Sequence, residues 1–381
     1  MSGQWNKYSA TAARRHGKPG RELRPNSITI DIHSHVAVPA AAEFVEPYLD
    51  WATIPLAHFA DAATKALSQK QEADVRSRSG HEQRLSDLDA MGIDVQIIAP
   101  PPPQCYYTVP LDIAVKATRI VNDGIAEFCA THPERFKGFG AVPMTDGVEA
   151  AKELERCRKQ LGFTGVEILT NVAGKELSDP AFTPFWQEAE EFGALVMIHP
   201  NGFTEASRLT RFYFNNVIGN PLETTIALHY LIFDGVLERF PRLKILAVHG
   251  GGYLGAYSGR IDHAWGARSD SHDTLPQPPT TYLKRFTWIP SCLRRTSSPL
   301  WCTSSARTTF CSEPITPTIW RSTIRLAISQ RLRLSIRQPW LPWPEAMPRR
   351  CLGCDLIVVT APAALPSFKR RRYPSPGRRP A

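Results

Sequence analysis

Short apolar runs alternate with amphipathic stretches over most of the chain. The apolar runs are nearly continuous, which is typical of strands buried on both faces of a sheet. They occupy residues 27–36, 95–99, 138–144, 165–171, 194–200 and 244–251. The amphipathic stretches occupy residues 82–91, 111–131, 148–161, 182–192 and 222–240, and residues 252–265 follow the last run. This strand-then-helix order predicts an α/β fold with a parallel sheet, in which six of the eight units of a (β/α)8, TIM-type barrel can be counted.

Histidines stand at the ends of three of these predicted strands. His33 and His35 close the first run, His199 the fifth and His249 the sixth. Side chains alternate along a strand, so His33 and His35 share a face and can hold one divalent metal ion. Taken singly, each histidine has an alternative role at the surface, in a cap or in the core. A barrel places its site at the carboxyl ends of its strands, and three histidine-ended strands meeting there favour a metal site.

Composition changes sharply near residue 287. The net charge of the whole chain is +9, yet residues 288–381 hold sixteen Lys and Arg against three acids, while the preceding part is slightly acidic. We therefore expect a flexible N-terminal arm over residues 1–24, a barrel domain over residues 25–287 and an aberrant basic tail over residues 288–381. Neither a secretory signal nor a membrane-spanning run is found, so a cytoplasmic protein is expected. Cys351-x-x-Cys354 lacks the second pair of a zinc site.

Sequence motifs spread over residues 28–286 resemble one family. They lie at residues 30–35, 84–89, 91–93, 133–136, 162–166, 199–200, 240–244, 249–252 and 259–263. In this order and spacing they resemble metal-dependent amidohydrolase-like proteins, in the branch of aminocarboxymuconate-semialdehyde decarboxylase and related non-oxidative decarboxylases. The resemblance implies that His33, His35 and His199 bind a single zinc or other divalent ion that also holds a water molecule. It implies that His249 is the general acid/base that serves this water and the substrate carbon.

Two arginines have roles implied by the same resemblance. Arg84 resembles a residue that binds the substrate carboxylate, and Arg260 resembles one that is donated across a dimer interface; guanidinium groups bind carboxylates bidentately. The alternative for Arg84 is a helix-surface ion pair with Asp87 or Asp89, and Arg260 has a similar one. Residues 165–171 contain no lysine of the kind that bridges two metals in binuclear relatives, which favours one ion. The chain also departs from the muconate enzymes at residues 201–203, where they carry a bulky aromatic side chain after the His-Pro.

The basic tail lacks an element that the family supplies. Relatives carry a metal-binding aspartate in a Gly-(Ser/Thr)-Asp-Tyr-Pro stretch at strand eight, and nothing similar follows His272. A disordered tail is one interpretation, but its five tryptophans are unusual for a solvated segment. A nucleic-acid-binding tail is a second, supported by its charge.

We favour a third interpretation, an out-of-frame translation that begins near Phe286. Codons for residues 313–320 can be chosen so that an adjacent frame reads Gly-Thr-Asp-Tyr-Pro-Tyr-Asp-Met. In that same frame residues 286–290 read Tyr-Met-Asp-Thr, and residues 345–350 read Gly-Asn-Ala-Ala-Ala. Where the sequence leaves the first codon base open, it was chosen to match the family. The aspartate read from residues 286–290 and the first alanine read from residues 345–350 involve no such choice, because the encoded residues fix their codons. As written, the chain is then expected to lack strands seven and eight, bind metal weakly and show little activity.

These observations predict a zinc-dependent non-oxidative decarboxylase of a small carboxylated muconate semialdehyde or phenolic acid. The alternative is a metal-dependent hydrolase of a cyclic amide or lactone, since the same metal and water serve both reactions. A basic-tailed nucleic-acid-binding protein is a third and lesser hypothesis. A homodimer is expected if the chain is intact, with neither a nucleic acid nor a membrane as partner.

Overall fold

A computed structural model describes residues 28–78 and 81–288. Its main sheet, in the described residues, has seven parallel strands in the order β1-β2-β3-β4-β7-β8-β9. These strands are β1 (Ile30–His35), β2 (Val95–Ala99), β3 (Phe136–Ala141), β4 (Gly165–Leu169), β7 (Leu195–His199), β8 (Lys244–Ala247) and β9 (Phe286–Trp288). A two-stranded antiparallel hairpin, β5 (Asn171–Val172) and β6 (Lys175–Glu176), follows β4.

Helices connect the strands and cover the outside of the sheet. The first group, between β1 and β2, comprises α1 (Pro39–Val45), α2 (Pro55–His58), α3 (Ala62–Arg78) and α4 (His81–Met91). The central helices are α5 (Leu111–Ala130), α6 (Gly147–Lys159), α7 (Thr183–Phe192), α8 (Asn220–Phe233) and α9 (Val236–Arg239). The last group comprises α10 (Ser258–Ala267), α11 (Ser269–His272) and α12 (Thr280–Leu283). The arrangement is the α/β fold predicted above, a curled and incomplete (β/α)8 barrel.

The two faces of the sheet bury different side chains. The inner face packs an apolar cluster that includes Ile97, Phe139 and Met197, with Ile32 against it. On the outer face, larger apolar clusters join the strands to the helices that cover them. Burial on both faces explains why the strands read as nearly continuous apolar runs, since neither face is left for polar side chains.

A bulge in β1 decides which way its histidines point. Asp31 is paired with Gln96 and His35 with Ala99, so β1 has one residue more than β2 between these two pairs. The extra residue shifts the register between Asp31 and Ser34. Without the shift, Asp31 and both histidines would lie on one face. Because of it, Asp31 lies beside Gln96 on the helix side, while His35 aligns with Ala99 of the inner cluster. Bulges of this kind re-aim side chains next to functional sites.

The structure adds detail to the predicted elements. The amphipathic stretch at 222–240 forms two helices, because the chain turns at Gly235, where φ is +72°. A short seventh strand, β9, pairs with β8 just where residues 286–288 were expected to have lost it. The eighth strand, the missing aspartate, the arm over residues 1–24 and nearly all of the basic tail fall outside the described residues, so those predictions stay predictions.

We expect Phe286→Ala to destabilise the protein, because Phe286 is 3% exposed and packs in the main core cluster. A buried Phe truncated to Ala lowers the free energy of unfolding by about 3 kcal/mol or more. Urea denaturation followed by circular dichroism measures the loss. Ile28→Ala, at a site that is 75% exposed, is the matched control. Equal stability of the two variants would show that β9 does not pack as described.

Candidate metal centre

Three histidines from two strands converge at the carboxyl end of the sheet. His33 and His35 come from β1 and His199 from β7, and their three ligand atoms lie within 4.8 Å of one another. The ring centroids of His33 and His199 are 5.0 Å apart, and those of His35 and His199 are 5.2 Å apart. All three side chains are buried. The structure therefore brings together the residues predicted as metal ligands.

Backbone carbonyls orient two of the three rings. Nδ1 of His35 lies 2.9 Å from the carbonyl oxygen of Pro100, and Nδ1 of His199 lies 2.7 Å from that of Pro200. A carbonyl oxygen only accepts hydrogen bonds, so each Nδ1 carries the hydrogen and donates it. The lone pair of each Nε2 is then left for a metal ion. This is the arrangement in which protein zinc sites hold neutral imidazoles.

The donor set fits a divalent ion. Nε2 of His33 lies 3.1 Å from Nε2 of His35, close to the separation of about 3.4 Å between two nitrogens that bind one zinc tetrahedrally at 2.0–2.1 Å. Two imidazole nitrogens this close also need a hydrogen or a cation between them. Among the described residues, the group able to hold a metal consists of these three histidines.

The environment keeps the imidazoles neutral. Burial lowers the pKa of His35 to about 3, with a further contribution from the neighbouring His33. Burial, and then His33, also lower the pKa of His199 well below its ordinary value. A metal ligand must be deprotonated, so these shifts remove proton competition at neutral pH.

His249 lies beside the three rings. Its ring centroid is 5.1 Å from that of His199 and 6.2 Å from that of His33. It follows β8 and adopts a φ of +54°, unusual for a residue with a side chain. Three glycines with positive φ come next, and a Cβ on Gly252 would approach the Pro221 carbonyl oxygen to 2.1 Å. The His-Gly-Gly-Gly motif thus allows the tight turn that brings His249 to the site.

Arg84 lies on the helix side of β1 and its terminal nitrogens are engaged there. One donates to Gln96 Oε1 at 2.8 Å and the other to the carbonyl oxygen of His35 at 3.2 Å. Gln96 in turn donates to Asp31 at 2.6 Å, and the guanidinium lies over the Phe128 ring. Burial lowers the pKa of Arg84 to about 10, against the opposing effect of Asp31. These contacts tie the end of β1 to the helix layer.

These contacts leave the predicted substrate role of Arg84 untested, and Asp87, one of the two alternative partners, acts on it electrostatically. Asp89 pairs with Arg135 instead, at 2.8 Å, and Arg84 is buried where a surface ion pair was the alternative. Its contacts in the described structure are with protein groups, so its binding of substrate stays a prediction. Arg260 lies exposed on α10, the helix after the His249 turn, and its donation across a dimer interface also stays a prediction.

The segment that departs from the muconate enzymes packs at the site's edge. Asn201 is 8% exposed and its Oδ1 has no hydrogen-bond partner among the described residues. Its carbonyl oxygen accepts from Leu56 N, and a Cβ on Gly202 would meet that same nitrogen at 2.5 Å. The residues around α2 therefore close against this segment, which leaves no room for a bulky residue at position 202.

Sequence reasoning missed one acidic residue at the site. Glu167 is fully buried in β4, and its Oε2 lies 3.5 Å from Nδ1 of His35. Burial raises the pKa of Glu167 well above its ordinary value. An acid inside the apolar run at residues 165–169 was the signal that would have found it, because a charged residue is rarely buried without a partner.

Comparison with known proteins identifies the family of this chain. A family model described as amidohydrolase matches residues 30–278. The chain belongs to the amidohydrolase family. A 2-amino-3-carboxymuconate-6-semialdehyde decarboxylase from Dictyostelium discoideum is 32% identical over 70% of this chain and 74% of its own length. A gamma-resorcylate decarboxylase from Rhizobium radiobacter is 32% identical over 48% of this chain and 59% of its own length.

A solved structure shares the fold of this amidohydrolase. It is the 5-carboxyvanillate decarboxylase from Novosphingobium aromaticivorans, complexed with manganese and 4-hydroxy-3-methoxy-5-nitrobenzoic acid. It superposes with a TM-score of 0.60 at 24% identity, over 72% of this chain and 81% of that one. Within residues 28–78 and 81–288, no helix is long and apolar enough to span a membrane.

We expect acid to destabilise the metal-free protein through His35. Its pKa is about 3 in the fold against 6.5 without it, so between these values the unfolded chain binds the proton and the free energy of unfolding falls as pH drops. The slope is about 1.4 kcal/mol per pH unit for one such group. Urea denaturation at pH 6.5, 5.5 and 4.5 measures it.

The variant His35→Gln isolates this contribution, because all other titrating groups are common to both chains. Its stability should fall less steeply with acid than that of the parent chain. The exposed His263→Gln is the control and should keep the parent slope. Equal slopes for His35→Gln and the parent would contradict a buried, neutral His35.

Proposed function

We propose that this amidohydrolase is a zinc-dependent non-oxidative decarboxylase of a small carboxylated muconate semialdehyde or phenolic acid. The observation that carries the proposal is the convergence of four histidine rings at the carboxyl end of the sheet, two of them fixed by Nδ1 donation to carbonyl oxygens. The decarboxylase relatives support it, because they act on acids of these two kinds. A structural neighbour holds manganese, so the proposal requires a divalent ion and names zinc as the one expected.

His33, His35 and His199 would hold the ion, which supplies a Lewis acid to the substrate's oxygen atoms when bound. His249 would give the proton. As the bond between the substrate carbon and its carboxylate breaks, carbon dioxide leaves and the electron pair remains on the carbon. The imidazolium of His249 donates a proton to that carbon and becomes neutral. The ring lies beside the ligand histidines and is only partly buried, which suits a group that must exchange protons with solvent.

A carboxylated substrate also needs a cationic group of the protein. Arg260 remains our candidate, since it is exposed and lies on the helix that follows the His249 turn. The contacts of Arg84 support a structural role. It donates to the carbonyl oxygen of His35 and so holds the two ligand histidines of β1 in place. We propose a homodimer in which the partner subunit places Arg260 near the site.

The nucleotide sequence decides the frame hypothesis directly. An out-of-frame tail requires that the bases encoding residues 313–320 also encode Asp-Tyr-Pro in an adjacent frame. If they do, restoring that frame should supply an acidic ligand, raise metal affinity and produce turnover. An uninterrupted frame without the hidden code would remove the hypothesis.

In the frame-restored chain, bound metal and turnover should respond differently to different substitutions. His33→Ala and His199→Ala are expected to lose both bound metal and carbon dioxide release, since each removes a ligand. His249→Asn should keep its metal and lose roughly 10²- to 10⁴-fold in turnover, the usual worth of a general acid. Metal analysis and carbon dioxide release from muconic and phenolic acids measure the two. The exposed His263→Ala is the control and should keep both.

A chelator should abolish turnover and added zinc or manganese should restore it. Turnover that survives full removal of metal would overturn the metal-dependent mechanism. Ring opening of cyclic amides or lactones without carbon dioxide release would favour the hydrolase alternative, which uses the same ion.

A further inference from the structure

Glu167 occupies a place where a carboxylate is costly. It lies in the middle of β4 and aligns with Met197 of the inner apolar cluster. Its side chain is 0% exposed, and neither carboxylate oxygen has a hydrogen-bond partner among the described residues. An isolated charge in such a place is strongly unfavourable unless a cation compensates it. An ionised Glu167 therefore needs a cation nearby.

The contact between Glu167 and His35 indicates where that cation would lie. Oε2 lies 3.5 Å from Nδ1 of His35, the nitrogen that donates to Pro100. Nε2 on the opposite edge of the same ring faces His33. The carboxylate and the ion site thus lie on opposite edges of one imidazole. Carboxylate, histidine and metal in this order recur in protein metal sites; here the Nδ1 hydrogen goes to Pro100, so Glu167 acts on the ring by its charge.

The charge of the ligand set gives the second reason. The three histidines are buried and are neutral as ligands, so a divalent ion among them keeps its full charge in a poorly solvated place. Arg84 and Asp31 are buried charges near this end of β1, but both lie on its helix side, where Gln96 joins them. A carboxylate one ring away offsets the charge of the ion, and the ion offsets the charge of the carboxylate.

We propose that Glu167 is the charge-balancing carboxylate of the metal centre, acting on the ion across the His35 ring. The inference rests on the proposed metal site and adds a residue that the three-histidine assignment does not contain. It predicts that metal affinity and metal-free stability respond to Glu167 in opposite directions. A residue with only a structural role would lower both.

The test uses the full chain as it exists and Mn²⁺ as the probe. Free Mn²⁺ is followed by electron paramagnetic resonance during titration of the parent chain, Glu167→Gln and Glu153→Gln. Glu153 is the control because it is also a buried acid, but it lies on α6 in a network with Asn122 and Arg156. Thermal unfolding of each metal-free protein is measured in parallel.

We expect Glu167→Gln to bind Mn²⁺ 10- to 100-fold more weakly, the usual effect of losing such a partner. Its metal-free melting temperature should equal or exceed that of the parent, because a neutral amide replaces a buried acid. Glu153→Gln should keep the parent affinity and melt at a lower temperature. Unchanged Mn²⁺ affinity in Glu167→Gln overturns the inference, and so does a loss of affinity that is matched by Glu153→Gln.

The experiment separates this inference from the proposed site. His33→Ala sets the level of binding without the site. If the parent chain and the frame-restored chain both bind Mn²⁺ no better than this variant, both proposals are overturned. A parent chain that binds better, with Glu167→Gln unchanged, overturns the role of Glu167 alone. If Glu167→Gln does not fold, Glu167→Asp decides. Its shorter carboxylate withdraws from Nδ1 and should weaken Mn²⁺ binding. Parent affinity in this variant overturns the inference.

Discussion

Burial of uncharged imidazoles at the carboxyl end of the sheet is the constraint on which the site depends. A protonated His35 or His199 would be a cation with almost no exposure to solvent, so burial lowers the pKa of both. The carbonyl oxygens of Pro100 and Pro200 accept from Nδ1 and leave Nε2 as the basic atom of each ring. Burial and hydrogen bonding together make His35 and His199 neutral donors, and His33 lies beside both of them at the same point.

The strand that carries two of these donors is held from behind. Asp31, Gln96 and Arg84 form a buried chain of hydrogen bonds that ends on the His35 carbonyl oxygen. Arg84 keeps its charge there because Asp31 lies in the same network. The bulge in β1 makes this possible, since it sends Asp31 to the helix side and the histidines to the other. One irregularity in the register therefore serves both the support and the site.

Both the fold and the frame hypothesis bear on how complete the site is. The described sheet ends at β1 on one side and at the short β9 on the other, and open strand edges invite association with other chains. The relatives are named as decarboxylases, and the aspartate predicted from the family resemblance would belong to residues beyond β9, outside the described part of the chain. Glu167 supplies a carboxylate on the far side of His35. It is not one of the three metal-ligand residues found in the described part of the chain.

The sequence alone determined the order of strands and helices and the residues at the strand ends. Those features follow from local periodicity and from the rule that parallel strands present their carboxyl ends together. It could not place Arg84 behind β1 or Glu167 under His35, because each contact joins segments that are distant in the chain. It also could not show the β1 bulge, which depends on the register against Gln96 and Ala99. Tertiary packing decided these contacts, since hydrogen bonds and burial across the sheet, rather than any short-range pattern, set their energies.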